Sequence, residues 1–243
     1  MNRTTANKTV GCADSAPTAP PALAAGETFA SHAYQRLRQD IISGAHAPGA
    51  KLRILELCDR YTIGPSPIRE ALNRLSRDGL VAQSDHRGFS VTALSRSHLD
   101  ELTKTRCWLT EIGLRESIAN GDSAWEEGVV LAHHRLSRVP RHVADQDGST
   151  YNPAWEEAHR AFHRSLIAAC GSRWLIGFCE QLFDAADCYR HLSRATSRKR
   201  KAPRDEHPAM VEAILARDAE KAVALLRAHY TRTADLVRDQ LDP

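Results

Sequence analysis

The chain has 243 residues, 42% of them hydrophobic and 26% charged, with a formal net charge of +3. That length predicts one or two domains, since a domain runs to about 100–200 residues. The apolar runs Leu166–Cys170 and Ala222–Leu226 are five residues long, against about 20 for a membrane helix. The N-terminus carries no apolar stretch of the kind a secretory signal needs. The six cysteines include no C-x-x-C pair, so they read as reduced thiols of a cytoplasmic protein with no membrane partner.

Charge becomes informative once it is divided along the chain. Residues 31–92 hold nine basic side chains against six acidic, whereas 1–30 hold two of each and 93–243 hold 22 of each. The whole excess therefore sits in one segment, as a polyanion partner would require.

Residues 1–27, rich in Ala, Thr, Pro and Gly, are expected to form a disordered arm. Residues 28–95 then read as three helices and a β-ribbon. Ala33, Tyr34, Leu37, Ile41 and Ile42 recur at helical spacing, and Gly44 stops that helix. Leu52, Leu55 and Tyr61 mark a second, shorter helix after the turn Pro48-Gly49. Gly64-Pro65-Ser66-Pro67 opens a third, whose first turn tolerates proline because the missing N–H would have had no partner. Its apolar stripe is Ile68, Ala71, Leu72 and Leu75; the other face offers Arg69, Asn73, Arg74, Ser76 and Arg77. Two extended pieces, Leu80–Ser84 and Phe89–Thr92, flank the turn tetrad Asp85-His86-Arg87-Gly88. This is the plan of a winged helix-turn-helix, and the third helix is the one a DNA major groove would receive.

Residues 96–243 read as helical throughout, at about 97–119, 123–138, 153–170, 172–194, 204–217 and 219–240. A polar loop is expected at 140–152 and no strand, so the fold class is mainly α: a winged helix-turn-helix followed by an all-α bundle.

The first half resembles the GntR family of bacterial transcription regulators. The resemblance rests on Ala33-Tyr34-x-x-Leu37-Arg38-x-x-Ile41-x-x-Gly44, Pro48-Gly49-x-x-Leu52, Pro67-Ile68-Arg69-Glu70-Ala71-Leu72 and Arg87-Gly88-Phe89-x-Val91. It implies a DNA contact at Arg69 and a wing at Arg87 and Gly88. Ser66 stands in for the usual capping Ser or Thr, because this chain has Gly64 and Pro65 there. Asn73 and Arg74 are the further candidates for base or phosphate contact. Such a regulator binds a palindromic operator on double-stranded DNA as a homodimer, since one recognition helix reads only a few base pairs.

Four histidines form the second candidate site. His159 and His163 share a helix face, and antiparallel helices joined near Asp218 would set His207 opposite His229. Any single one of the 12 histidines reads first as a surface or core residue; together the four suit a divalent ion such as Zn²⁺ or Ni²⁺. The pattern His159-x-x-Phe162-His163, Glu206-His207 and His229 is similar to the metal site of the FadR-type C-terminal (FCD) effector domain, with His159 replacing an aspartate. Arg106 matches that domain's Arg-x-x-Leu-Glu arginine, although Thr110 replaces the glutamate. The resemblance implies a small organic acid effector and repression of a catabolic operon. For Arg106 two readings stay open, a carboxylate receptor or a surface salt bridge to Asp100 or Glu101. The basic run from Arg190 to Arg204 reads as a solvated linker.

A metal-dependent bundle enzyme is the rival reading. Glu156-x-x-His159 is half of a di-iron signature, but the second Glu-x-x-His is missing, and so are nucleophile-elbow, P-loop and Rossmann patterns. No catalytic residue is assigned.

Overall fold

The computed structural model describes residues 23–24, 26–84, 88–145, 148–196, 206–238 and 241. Most of the expected arm, residues 1–22 and 25, lies outside them.

Helix α1 (Phe29–Ile42) begins where Thr28 Oγ1 accepts from the Ser31 amide at 3.1 Å. It buries Ala30, Ala33, Leu37 and Ile41, one residue per turn on a single face. Helix α2 (Ile54–Tyr61) ends at Thr62, whose φ of 56° turns the chain left-handed into α3 (Pro65–Arg77). Gly64 caps α3 without a side-chain bond, so the first turn is set by Pro65 and Pro67 alone. Strands β1 (Lys51–Leu52), β2 (Val81–Ser84) and β3 (Gly88–Val91) form an antiparallel sheet ordered β1-β3-β2. The two-residue β1 escapes periodicity analysis because it is too short to alternate. Gly88, at φ +79°, supplies the turn conformation that a side chain would strain. Leu37, Ile68, Leu72 and Leu75 are fully buried beneath this sheet and form the core of the first half.

The second half packs α4 (Arg96–Asn120), α5 (Ser123–Arg138), α6 (Pro153–Leu166), α7 (Arg173–Thr196), α8 (His207–Leu215) and α9 (Ala219–Arg238). Long α4 lies against α7 and α9, while α5 lies against α6 and α8. Gly113 allows the close approach in the middle: a Cβ there would stand 3.0 Å from the Ile167 side chain.

Two expectations need correction. The segment expected as a polar loop holds a hairpin, β4 (His142–Asp145) paired with β5 (Gly148–Tyr151) from His142↔Tyr151 to Asp145↔Gly148. Four-residue strands carry too little alternation to stand out from polar sequence. Helix α6 ends at Leu166 rather than near 170, because Ile167 N bonds the Arg164 carbonyl and tighter turns follow through Cys170. Leaving the helix there seats Ile167 against Gly113.

The halves touch through α1 and α7. Arg38 of α1 donates from Nε to Asp184 Oδ2 at 2.8 Å and from Nη2 to the other oxygen. Cys188 of α7 packs against the N-terminal core. Tyr189 is 1% exposed, and its hydroxyl lies 3.3 Å from both backbone polar atoms of Ser95 and 2.8 Å from His98 Nδ1. Helix α7 thus grips both the first helix and the connection between the halves.

Candidate functional site

On α3 the stripe and the outer face separate as the periodicity implies. Arg69 and Ser66 are exposed, and Asn73 is half-buried. Arg74 turns back onto α1: its guanidinium lies 4.4 Å from the Tyr34 ring centre and donates to Ser31 Oγ at 3.3 Å. Gly88 opens β3 at the wing, whereas Arg87 lies outside the described residues. Tyr34 in turn donates to Asp78 at 2.9 Å, and burial with that carboxylate pushes its hydroxyl up to about 12.

In the bundle the structure brings His159, His163, His207 and His229 together, with one ligand atom of each within 4.8 Å of the others. His159 and His163 stand one turn apart on α6, His207 opens α8, and His229 comes from α9. Their Nε2 atoms are 3.0 Å apart for the first pair. Two imidazoles held at about 2.1 Å by one tetrahedral ion would stand about 3.4 Å apart, close to that separation. His163 Nδ1 is buried with no hydrogen-bond partner among the described residues. The donor set and its spacing fit a divalent ion. Burial first, then the neighbouring imidazoles and the Arg106 and Arg190 cations, hold His159 and His163 well below the ordinary histidine range. They are therefore neutral at pH 7, the form that ligates.

A supporting layer surrounds the imidazoles. Glu206 Oε2 lies 3.2 Å from His229 Nδ1, a carboxylate–imidazole contact that aims Nε2 into the cluster. Trp155 stacks on His159 with centres 4.5 Å apart. Arg190 Nη1 lies 3.1 Å from His159 Nδ1. A guanidinium only donates, so in this contact Nδ1 accepts and the ring proton sits on Nε2; that proton must move before His159 can ligate through Nε2. This corrects the reading of Arg190 as a linker residue: its side chain is 11% exposed and also meets Glu156 and Asp187. The i,i+3 spacing to Asp187 was the one sequence signal for it, and it does not reveal the contact with His159. Arg198, Lys199, Arg200, Lys201 and Arg204 of the same run lie outside the described residues.

Arg106 is 7% exposed, and its guanidinium lies 4.0 Å from the Tyr230 ring centre and 5.5 Å from that of Phe183. The surface salt bridge is thereby excluded, and Asp100 instead takes Arg238 at 2.5 Å. A small cavity of about 30 Å³ opens beside the cluster, lined among others by Arg106, Thr110, Arg160, His163, Glu180 and Tyr230. Arg160 and Arg164 on its wall are paired with carboxylates, whereas Arg106 faces the Tyr230 and Phe183 rings.

Known proteins match both halves. Residues 29–91 match the model of bacterial regulatory proteins of the gntR family, and residues 101–232 match the FCD domain. The chain belongs to the GntR family and carries its FCD domain. An uncharacterized HTH-type transcriptional regulator of Paraburkholderia xenovorans, BphR, is 38% identical over 205 residues, 84% of this chain and 83% of its own. The Escherichia coli HTH-type transcriptional repressor GlaR is 31% identical over 86% of this chain and 95% of its own. Among solved structures, E. coli McbR/YncC shares the fold at 18% identity with a TM-score of 0.69, covering 88% of this chain and 99% of that one. A putative GntR regulator from Rhodococcus sp. RHA1 shares it at 22% identity, TM-score 0.66, over 88% and 99%. The chain is accordingly a DNA-binding, ligand-responsive transcription regulator rather than an enzyme. No described helix is long and apolar enough to cross a membrane.

Proposed function

We propose that the regulator is a repressor that binds a palindromic operator as a homodimer and answers to a small carboxylate held at a metal in its C-terminal half. The observation carrying this reading is the cavity that Arg106 and His163 line together, with His159, His207 and His229 gathered around His163. Zn²⁺ or Ni²⁺ is the ion that imidazole ligands suit. Bound there, it would supply Lewis acidity toward one carboxylate oxygen, while Arg106 donates to the other. Four neutral histidines leave the ion's charge uncompensated, which makes an acid a better occupant than a neutral molecule.

On DNA, Arg69 and Asn73 are assigned to base edges, Ser66 and Arg87 to phosphates, and Gly88 to the shape of the wing. Arg74 is assigned to phosphate as well, a role that requires it to leave Tyr34. Two-fold pairing of the chain gives two such helices, one per half-site. The domains are taken as 28–95 for DNA and 96–243 for effector binding and dimerisation, after an arm at 1–27.

The test is a thermal-shift screen of small organic acids on metal-loaded parent and on Arg106→Ala, with hits carried into gel shifts on the promoter beside its gene. A hit that stabilises the parent and not Arg106→Ala, and alters operator affinity, supports the assignment. Equal stabilisation of both removes Arg106 from the receptor.

A further inference from the structure

Arg160 stands at a junction that neither the DNA face nor the metal ligands explain. It follows His159 on α6, lines the cavity, and lies 4.5 Å from the Phe183 ring centre, the ring that Arg106 and Arg190 also face. Its other contacts leave the cavity: Nη1 to Asp184 Oδ1 at 2.5 Å and Nη2 to Asp187 Oδ2 at 2.7 Å. Asp184 is the carboxylate that holds Arg38 of α1, and Oδ1 is shared by both arginines. Asp187 is shared with Arg190, which takes Oδ1 while Arg160 takes Oδ2. An unbroken chain of charge-assisted hydrogen bonds therefore runs from His159, through Arg190 and Asp187, to Arg160, Asp184 and the first helix of the DNA-binding half.

We propose that Arg160 is a second anion receptor of the cavity, selecting a dianion, and that it competes with Arg38 for Asp184. The inference rests on the carboxylate reading above and deepens it. One carboxylate on Arg106 leaves a second free to reach Arg160 on the same wall, and a guanidinium offers that group a bidentate partner as good as the aspartates. Once drawn into the cavity, Arg160 no longer shares Oδ1 of Asp184. Arg38 then has that carboxylate to itself, and α1 is held more tightly to α7. A dianion so tightens the contact between halves, and the energy available is the difference between two arrangements of the same charges.

The competition is testable without knowing the ligand. Peptide-level hydrogen exchange is followed at α1 residues 36–42 in full-length, zinc-loaded protein. Arg160→Met, which vacates Asp184, slows exchange there by about two- to fivefold; Asp184→Asn, which releases Arg38, speeds it by about as much. Arg160→Lys keeps the charge and stays near the parent. Exchange at α1 that is unchanged or faster in Arg160→Met overturns the proposal. A second arm adds succinate and, separately, acetate. Succinate slows α1 exchange in the parent and has no effect in Arg160→Met, while acetate has little effect on either. Succinate acting equally on both proteins overturns the receptor role. Loss of every acid response from the parent, with the variant effects intact, is instead a failure of the carboxylate reading.

Discussion

Helices α3 and α6 are built alike and used oppositely. Both open on proline, run about four turns and bury one stripe: Ile68, Ala71, Leu72 and Leu75 in α3, and Trp155, His159, Phe162, His163 and Leu166 in α6. In α3 the stripe is wholly apolar and chemistry is carried on the solvent face, where side chains keep their hydration until DNA arrives. In α6 the chemistry is inside the stripe, so two imidazoles are desolvated in the fold and held neutral. Buried polar groups are costly without partners, which explains the Arg190 contact to His159 that α3 has no need of.

The largest expected effects come from emptying each stripe. Leu72 and Phe162 are both fully buried, and truncating either to Ala costs about 2–5 kcal/mol of stability. Denaturant titration separates them further: added Zn²⁺ restores part of the loss in Phe162→Ala, beside the cluster, and none in Leu72→Ala. Equal rescue would mean that the two halves unfold as one unit; no rescue of either would mean that the ion does not bind beside α6.

Arg69→Ala is next, costing about 1–3 kcal/mol of operator affinity at matched salt while the melting temperature stays put. A fall in stability would place Arg69 in packing and break the contrast. Arg190→Met sharpens it from the other side. Removing a cation beside His159 and freeing Nδ1 to carry the ring proton tightens Zn²⁺ binding by about tenfold, measured by competition with a chelator. Weaker binding would show that Arg190 supports the ligand. Thr28→Ala, which deletes the cap of α1, costs only about 1 kcal/mol and leaves metal affinity alone; a drop in metal affinity would show the halves coupled through α1 more strongly than its contacts imply.

The same contrast decides what was legible in the sequence. Surface function on α3 shows as residue type against a clean apolar background, and the i,i+4 pair on α6 shows by spacing. The junction residues do not show. Arg160 looks like any exposed arginine of a basic helix, and its partners Asp184 and Asp187 lie on another helix 24 and 27 residues away, whereas Arg190 meets Asp187 on its own helix but reaches His159 and Glu156 across to α6. Arg106 stayed ambiguous for a related reason, since helix spacing alone does not decide between the side that faces Tyr230 and the side that faces Asp100. The β4–β5 hairpin was missed because short strands are fixed by pairing with each other rather than by a pattern within either one.

Calorimetric titration of Zn²⁺ into chelator-stripped protein tests the central claim most directly, that α6 carries its function inside and α3 outside. The parent and Arg69→Ala should each take up close to one ion per chain, as counted by elemental analysis, and His163→Ala should take up none. Failure of the parent to bind Zn²⁺ or Ni²⁺ saturably, or binding in His163→Ala equal to that of the parent, would contradict it.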